Sequence, residues 1–232
     1  MEGPAPLSAD GRAAPALVGL DVADDADAWR AGGFTVADDG TCRIGTVVVR
    51  LLGTGAGRGV LAWTFTGLAT GRDEDELDGI PTRGMPEHTA PTGEPSAHAN
   101  GAELIDHVVV TTPAPERTIA ALEGAGLVHR RTRLADGYAV PMRQDFFRAG
   151  EVILELIGPR TPDPAHADRP ARLYGLAHTV ADLDATAARL GDRLTAPKDA
   201  VQRGRRIATL KTRDLGITVP TAFLSRGAGA RS

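Results

Sequence analysis

The sequence predicts an α+β protein made of repeated β-α-β-β-β units, and three observations lead there. Residues 104–158 contain one complete unit: an apolar, β-branched run, a stretch of helical period, then three strand-like runs. The same order starts again over residues 172–226 and, in shorter form, over residues 16–68. Val22-Ala-Asp-Asp-Ala-Asp-Ala and Val180-Ala-Asp-Leu-Asp-Ala stand at equivalent strand-to-helix junctions of the outer two copies, which marks an internal repeat.

Taken in order, residues 1–15 are rich in Pro, Ala and Gly and are expected as a tail. Residues 17–22 suit a short strand, and residues 24–33 a short helix with carboxylates at its start and glycines at its stop. Strand-like residues 41–52 and 59–66 flank a glycine-rich turn and close a degenerate N-terminal copy, 16–68. Residues 69–102 hold an acidic run, prolines at 81, 86, 91 and 95 and almost no large apolar side chain. They are expected as a linker, or a lid, with His88 and His98 solvated. The central copy, 103–158, opens with Leu104-Ile-Asp-His-Val-Val-Val, where His107 breaks the apolar pattern. A helix near 116–123 stops at Gly124-Ala-Gly, and strands follow at 128–134, 139–148 and 151–157, the last two joined by a turn at Ala149-Gly150. After a proline-rich connector the third copy, 172–226, gives a strand at 173–180, a helix at 182–190, and strands at 206–211 and 217–224. Residues 227–232 are expected as a second tail.

Composition narrows the class. A net charge of −4, with Lys and Arg spread along the chain, gives no basic footprint for nucleic acid or a membrane surface. No apolar run approaches the length of a membrane span, and the N-terminal residues lack the order of a signal peptide. The single cysteine, Cys42, suits a reducing compartment, so the protein is expected in the cytoplasm. Trp29 and Trp63 are expected in the core. The glycine-rich residues 53–59 lack the Lys-Ser/Thr of a phosphate loop.

Three stretches resemble the vicinal oxygen chelate superfamily, which includes glyoxalase I, methylmalonyl-CoA epimerase, extradiol dioxygenases and bleomycin-resistance proteins. They are Leu104-Ile-Asp-His-Val-Val-Val-Thr-Thr-Pro, the hairpin from Arg143-Gln-Asp-Phe-Phe to Gly150-Glu-Val-Ile-Leu-Glu-Leu-Ile-Gly-Pro, and Gly175-Leu-Ala-His-Thr-Val-Ala-Asp-Leu-Asp. The resemblance covers residues 103–226 and extends, less closely, over 16–68. It implies that the copies 103–158 and 172–226 pair into curved, barrel-like mixed sheets with helices outside, enclosing a small-molecule cavity. In the superfamily's metal enzymes a divalent ion (zinc, nickel, manganese or iron) is held by the first and last strands of each copy and chelates adjacent substrate oxygens.

Carried over residue by residue, the resemblance places His107 at the first histidine ligand and Glu155 at the carboxylate of the same copy. In the third copy the corresponding position, six residues before Ala181, is Gly175, which has no ligand atom. Alternation along the strand puts His178 on the other face, toward the helix layer, so it is expected as a packed structural histidine. The second carboxylate position falls on Thr221 or Ala222, and neither supplies a charged oxygen. Two ligands remain where the metal enzymes have three or four, so no complete metal site is expected and no cofactor is required. Without a metal, His107 and Glu155 could act as acid and base or bind a ligand directly. Tyr138, Arg143, Gln144, Phe146 and Phe147 are further ligand-binding candidates, of which period-2 alternation turns about half inward.

Two function classes follow. One is a metal-independent protein that binds a small organic molecule, in the manner of the bleomycin-resistance branch. The other is a divalent-metal enzyme (lyase, isomerase or epimerase, or dioxygenase) using His107 and Glu155. An odd number of copies leaves one sheet surface without a partner in the chain, which predicts a homodimer.

Overall fold

The computed structural model describes residues 14–69, 75–90, 96–136 and 140–227. The expected tails up to residue 13 and from residue 228, parts of the expected linker (70–74 and 91–95) and Tyr138 lie outside the described residues. Along the chain run β1 (Ala16–Val22), α1 (Ala26–Ala31), β2 (Thr41–Ile44), β3 (Val47–Leu51), β4 (Val60–Thr66), β5 (Asp75–Leu77) and β6 (Ile80–Met85). The central copy is β7 (Ala102–Thr111), α2 (Pro115–Gly124), β8 (Val128–Ala135), β9 (Met142–Ala149) and β10 (Val152–Pro159). The last is β11 (Arg172–Val180), α3 (Leu183–Leu190), β12 (Lys198–Asp199), β13 (Arg206–Thr209), α4 (Thr212–Leu215) and β14 (Thr221–Ser225).

The strands form two mixed sheets, ordered β2-β3-β1-β4-β6-β5 and β12-β13-β14-β11-β7-β10-β9-β8. The larger sheet is two β-α-β-β-β copies in which the first strand neighbours the last, as the repeat predicts. Within it β11 pairs with β14 in parallel, Leu176 opposite Thr221. In the smaller sheet β4 pairs with β6 in the same parallel sense, Trp63 opposite Thr82. Thus the expected linker supplies two strands, β5 and β6, of the smaller sheet. The turn between them is Asp78-Gly79, with both residues at positive φ (52° and 80°), the conformation a type I′ hairpin requires.

Two local expectations shift. The β9–β10 turn is Gly150-Glu151 rather than Ala149-Gly150, since Ala149 pairs with Val152 and Gly150 has φ 65°. The last strand starts at Thr221 rather than 217, because Gly216 ends α4 in the left-handed region and Pro220 has no N–H to give a ladder.

Contacts divide the chain into two units. The first takes the described residues of Met1–Gly19, Ala62–Ala90 and Val108–Tyr174. In it α2 lies on β8 and β10 with Ile119 and Leu122 buried. Trp63 is fully buried, and its indole N–H donates to Thr82 Oγ1 at 2.6 Å. Asp78, at the tip of the β5–β6 hairpin, accepts from Arg117 Nε at 2.6 Å and from the Thr118 hydroxyl, so the hairpin is tied to α2.

The second unit takes the described residues of Leu20–Leu61, Pro91–His107 and Gly175–Ser232. Trp29, Phe34 and Phe223 are buried there, and α3 lies on β13 and β14. The repeated Val-Ala-Asp signal is used in two ways. Asp182 caps α3, accepting from the backbone N–H of Asp184 and Ala185. Its counterpart Asp24 instead accepts from Trp29 Nε1 at 3.0 Å and Thr218 Oγ1 at 2.6 Å. His98 is buried rather than solvated: its Nδ1 accepts from Thr35 N–H, and Nε2 donates to the Arg43 carbonyl, each at 3.0 Å. Among the described residues no helix is long and apolar enough to cross a membrane.

Candidate functional site

In the first unit the candidates sit on the antiparallel ladder β8–β9–β10. Alternate residues of β10 are buried, beginning at Val152, which places Glu155 on the half-exposed face. Glu155 is opposite Phe146, Ile157 is opposite Gln144, and on the far side Arg131 and Arg133 are opposite Phe146 and Gln144. These side chains therefore share one face. Gln144 Nε2 donates to Glu155 Oε1 at 2.8 Å, and the Arg131 guanidinium lies 4.4 Å from the Phe146 ring centroid. Gln144 is only 8% exposed, yet its Oε1 has no hydrogen-bond partner. An ionised carboxylate only accepts, so the amide nitrogen faces Glu155 and the carbonyl oxygen is the atom left over.

The other face of β9 carries Arg143, Asp145 and Phe147. Asp145, with no exposed surface, accepts from Arg143 Nε and Nη2 at 2.7 and 2.8 Å, from Thr132 Oγ1 at 2.6 Å and from His129 Nε2 at 3.1 Å. Arg143 also pairs with Glu116 of α2. Phe147 is buried beside the His129 ring. Gln144, Phe146 and Glu155 are thus brought together, while Arg143 and Phe147 face away from them into a closed ionic cluster and the helix-side core. Tyr138 lies outside the described residues.

In the second unit His107 is held by its neighbour. Nδ1 of His107 is 2.9 Å from Asp106 Oδ1, and Asp106 Oδ2 accepts from Thr179 Oγ1 at 2.9 Å and Arg205 Nη2 at 2.6 Å. Arg205 is itself fixed by the Ser225 carbonyl and Gln202 Oε1. Burial alone would raise the Asp106 carboxyl, but the hydrogen bonds from His107 and Arg205 outweigh it and hold the group well below the usual carboxylate range. A fixed acceptor at Nδ1 sets the tautomer: neutral His107 carries its proton there, and Nε2 is its lone-pair nitrogen. Asp106 was not among the sequence candidates; an aspartate directly before the histidine, in an otherwise apolar run, was the available signal.

His178 is fully buried, 5.1 Å from the Phe34 ring and 5.7 Å from that of Phe223, and neither ring nitrogen has a partner. Burial, reinforced by the nearby His98 and His107, pushes its pKa down to about 3. At Gly175, an added Cβ would stand 2.7 Å from the Pro220 carbonyl oxygen and 3.2 Å from Pro220 Cβ. The backbone of residue 220 therefore occupies the space a ligand side chain would need. The Thr221 hydroxyl is spent on the Val219 carbonyl at 2.9 Å. Among the described residues no group of three or more His, Cys, Asp or Glu side chains could hold a metal ion. The third copy's positions thus do not fit the donor set of the superfamily's metal centre.

A fold of β-α-β-β-β copies in two mixed sheets, with a polar pair on a sheet face, defines a class. Residues 106–209, a little under half of the chain, match the family described as the Glyoxalase/Bleomycin resistance protein/Dioxygenase superfamily. No curated protein matches it by sequence. It is similar in structure to a triple mutant of 4-hydroxymandelate synthase from Streptomyces coelicolor, with TM-score 0.64, 16% identity, and coverage of 95% of this chain and 94% of that one. A xylose isomerase-like TIM barrel/4-hydroxyphenylpyruvate dioxygenase fusion protein gives TM-score 0.59 at 14% identity, over 99% of this chain and 51% of that one, so the chain spans about half the fusion's length. Methylmalonyl-CoA epimerase from Mycobacterium tuberculosis matches at 20% identity and TM-score 0.43, over 55% of this chain and 90% of that one.

Proposed function

We propose that the protein binds a small organic molecule on the β8–β9–β10 face, through Gln144, Phe146 and Glu155, by sequestration or sensing and without a metal cofactor. One observation carries this: the Gln144 carbonyl oxygen is buried and unpartnered beside a carboxylate. Leaving a buried acceptor unsatisfied costs about 1–3 kcal/mol, which a ligand N–H or O–H would recover. The buried, unpaired Cys42, its thiol pushed up to about 12 by burial, is chemically inert and agrees with a cytoplasmic location. Screening a small-molecule library against the wild type by thermal shift and ligand-observed NMR should yield a binder. Its affinity should fall at least tenfold in Gln144→Leu and Glu155→Gln, the loss expected for one buried hydrogen bond to a charged group. No binder, or one indifferent to both substitutions, rejects the proposal.

A divalent-metal lyase, isomerase or dioxygenase using His107 and Glu155 is the second reading. The Asp106–His107 hydrogen bond favours it, because a carboxylate behind a histidine is how metal ligands are oriented. Metal analysis after exposure to zinc, nickel, manganese or ferrous iron decides between the two. Stoichiometric metal in the wild type that is lost in His107→Ala would replace the first reading with the second.

A further inference from the structure

Resting on the small-molecule reading above and deepening it, we infer that the β8–β9–β10 face takes an organic anion bearing an N–H or O–H donor at its opposite end. The two ends of the face ask for different chemistry. On β9 and β10, Gln144 Oε1 and Glu155 can only accept, so what meets them must donate. On β8, the neighbour of β9 and two strands from β10, Arg131 and Arg133 lie on the same face by register, both exposed. The carboxylate of β9, Asp145, is turned away and saturated by its own face. Among the described residues of the three strands, the arginines therefore outnumber the one carboxylate on this face, Glu155, and the β8 end attracts negative charge. Arg131 is held over the Phe146 ring, which keeps its charge on this face. Strands are spaced at about 4.8 Å, so the groups of a matching ligand that meet Glu155 on β10 and the arginines on β8 stand roughly 10 Å apart, with Gln144 of β9 between them. The competing explanation for these arginines is protection of β8, the last strand of its sheet, against edge pairing.

The test is calorimetric titration of wild type, Arg131→Ala/Arg133→Ala and Gln144→Leu with 8-aminooctanoate, octanoate and octylamine, each protein first shown by circular dichroism to melt cooperatively. The wild type should bind 8-aminooctanoate about tenfold more tightly than either single-ended probe, one charge-assisted contact being worth at least that factor. The double arginine variant should bind it no better than octylamine, and Gln144→Leu no better than octanoate. Equal binding of all three probes, absence of binding by 8-aminooctanoate, or an advantage that survives loss of both arginines overturns the inference. If the arginine variant aggregates while keeping that advantage, edge protection is the explanation and the inference falls. A neutral library compound that binds through Gln144 and Glu155 would overturn the anion while leaving the proposed function standing. Failure of the whole library removes the function itself.

Discussion

Because His178 is sealed from water with neither nitrogen paired, protonating it is harder in the folded chain than in the unfolded one. Its folded pKa of about 3 lies below the unfolded value of 6.5, so the unfolded state gains the proton first as pH falls. Stability is therefore intact above pH 6.5 and is lost progressively between there and pH 3. The linked loss at pH 5 is about 2 kcal/mol. Urea midpoints of the wild type and His178→Leu at pH 7.5 and pH 5 should show this: the drop on acidification shrinks in the variant by that amount. An equal drop in both proteins would mean that the imidazole is hydrated or paired in solution. That this residue is packed in the core was legible from its place in an apolar strand. The partnership of Asp106 with Arg205 was not, because it joins residues far apart in sequence that no local pattern connects. Alternation likewise shows that Arg143 and Phe147 part from Gln144 and Phe146, but only the register with β10 shows which pair stands beside Glu155.

At the scale of elements, the β5–β6 hairpin is the largest departure from expectation, and its signal was present. Asp-Gly between short alternating runs is a strong hairpin mark, but the surrounding acidic residues and prolines carry the composition of a linker. What makes strands of it is tertiary: Thr82 receives the Trp63 indole N–H, and Asp78 anchors to α2. Gly79 has φ 80°, and a Cβ there would stand 2.3 Å from Pro170 Cβ. Gly79→Ala should thus destabilise the protein by roughly 2 kcal/mol, from the left-handed backbone and the collision together. Hydrogen exchange should show protection lost first in residues 75–85. Unchanged stability would mean that the Pro170 segment yields at no cost. The β-α-β-β-β copies themselves were legible from their order of strand-like and helical runs, with clean alternation in β10 and a capping Asp182 at the start of α3.

At the scale of the molecule, the boundaries of the repeats and of the contact units do not coincide. Residues 103–226 hold both well-formed copies, yet each unit also draws on residues before 103. A fragment of residues 103–226 would lack Phe34, which packs on His178 and Phe223, and Asp78, which anchors α2. Such a fragment should show no cooperative melting transition. A sharp one would establish 103–226 as an autonomous domain. The expectation of a homodimer rested on an odd number of copies, and the hairpin supplies strands that this count omitted, so sizing at working concentration tests dimerisation on its own terms. The interleaving also bears on synthesis. A ribosome delivers the chain from one end, and the second unit needs β14, close to the last described residue, to complete the pairing with β11. Until then Phe34 and His178 wait without Phe223, and a stalled or truncated nascent chain offers chaperones and proteases an aromatic surface that the finished protein hides.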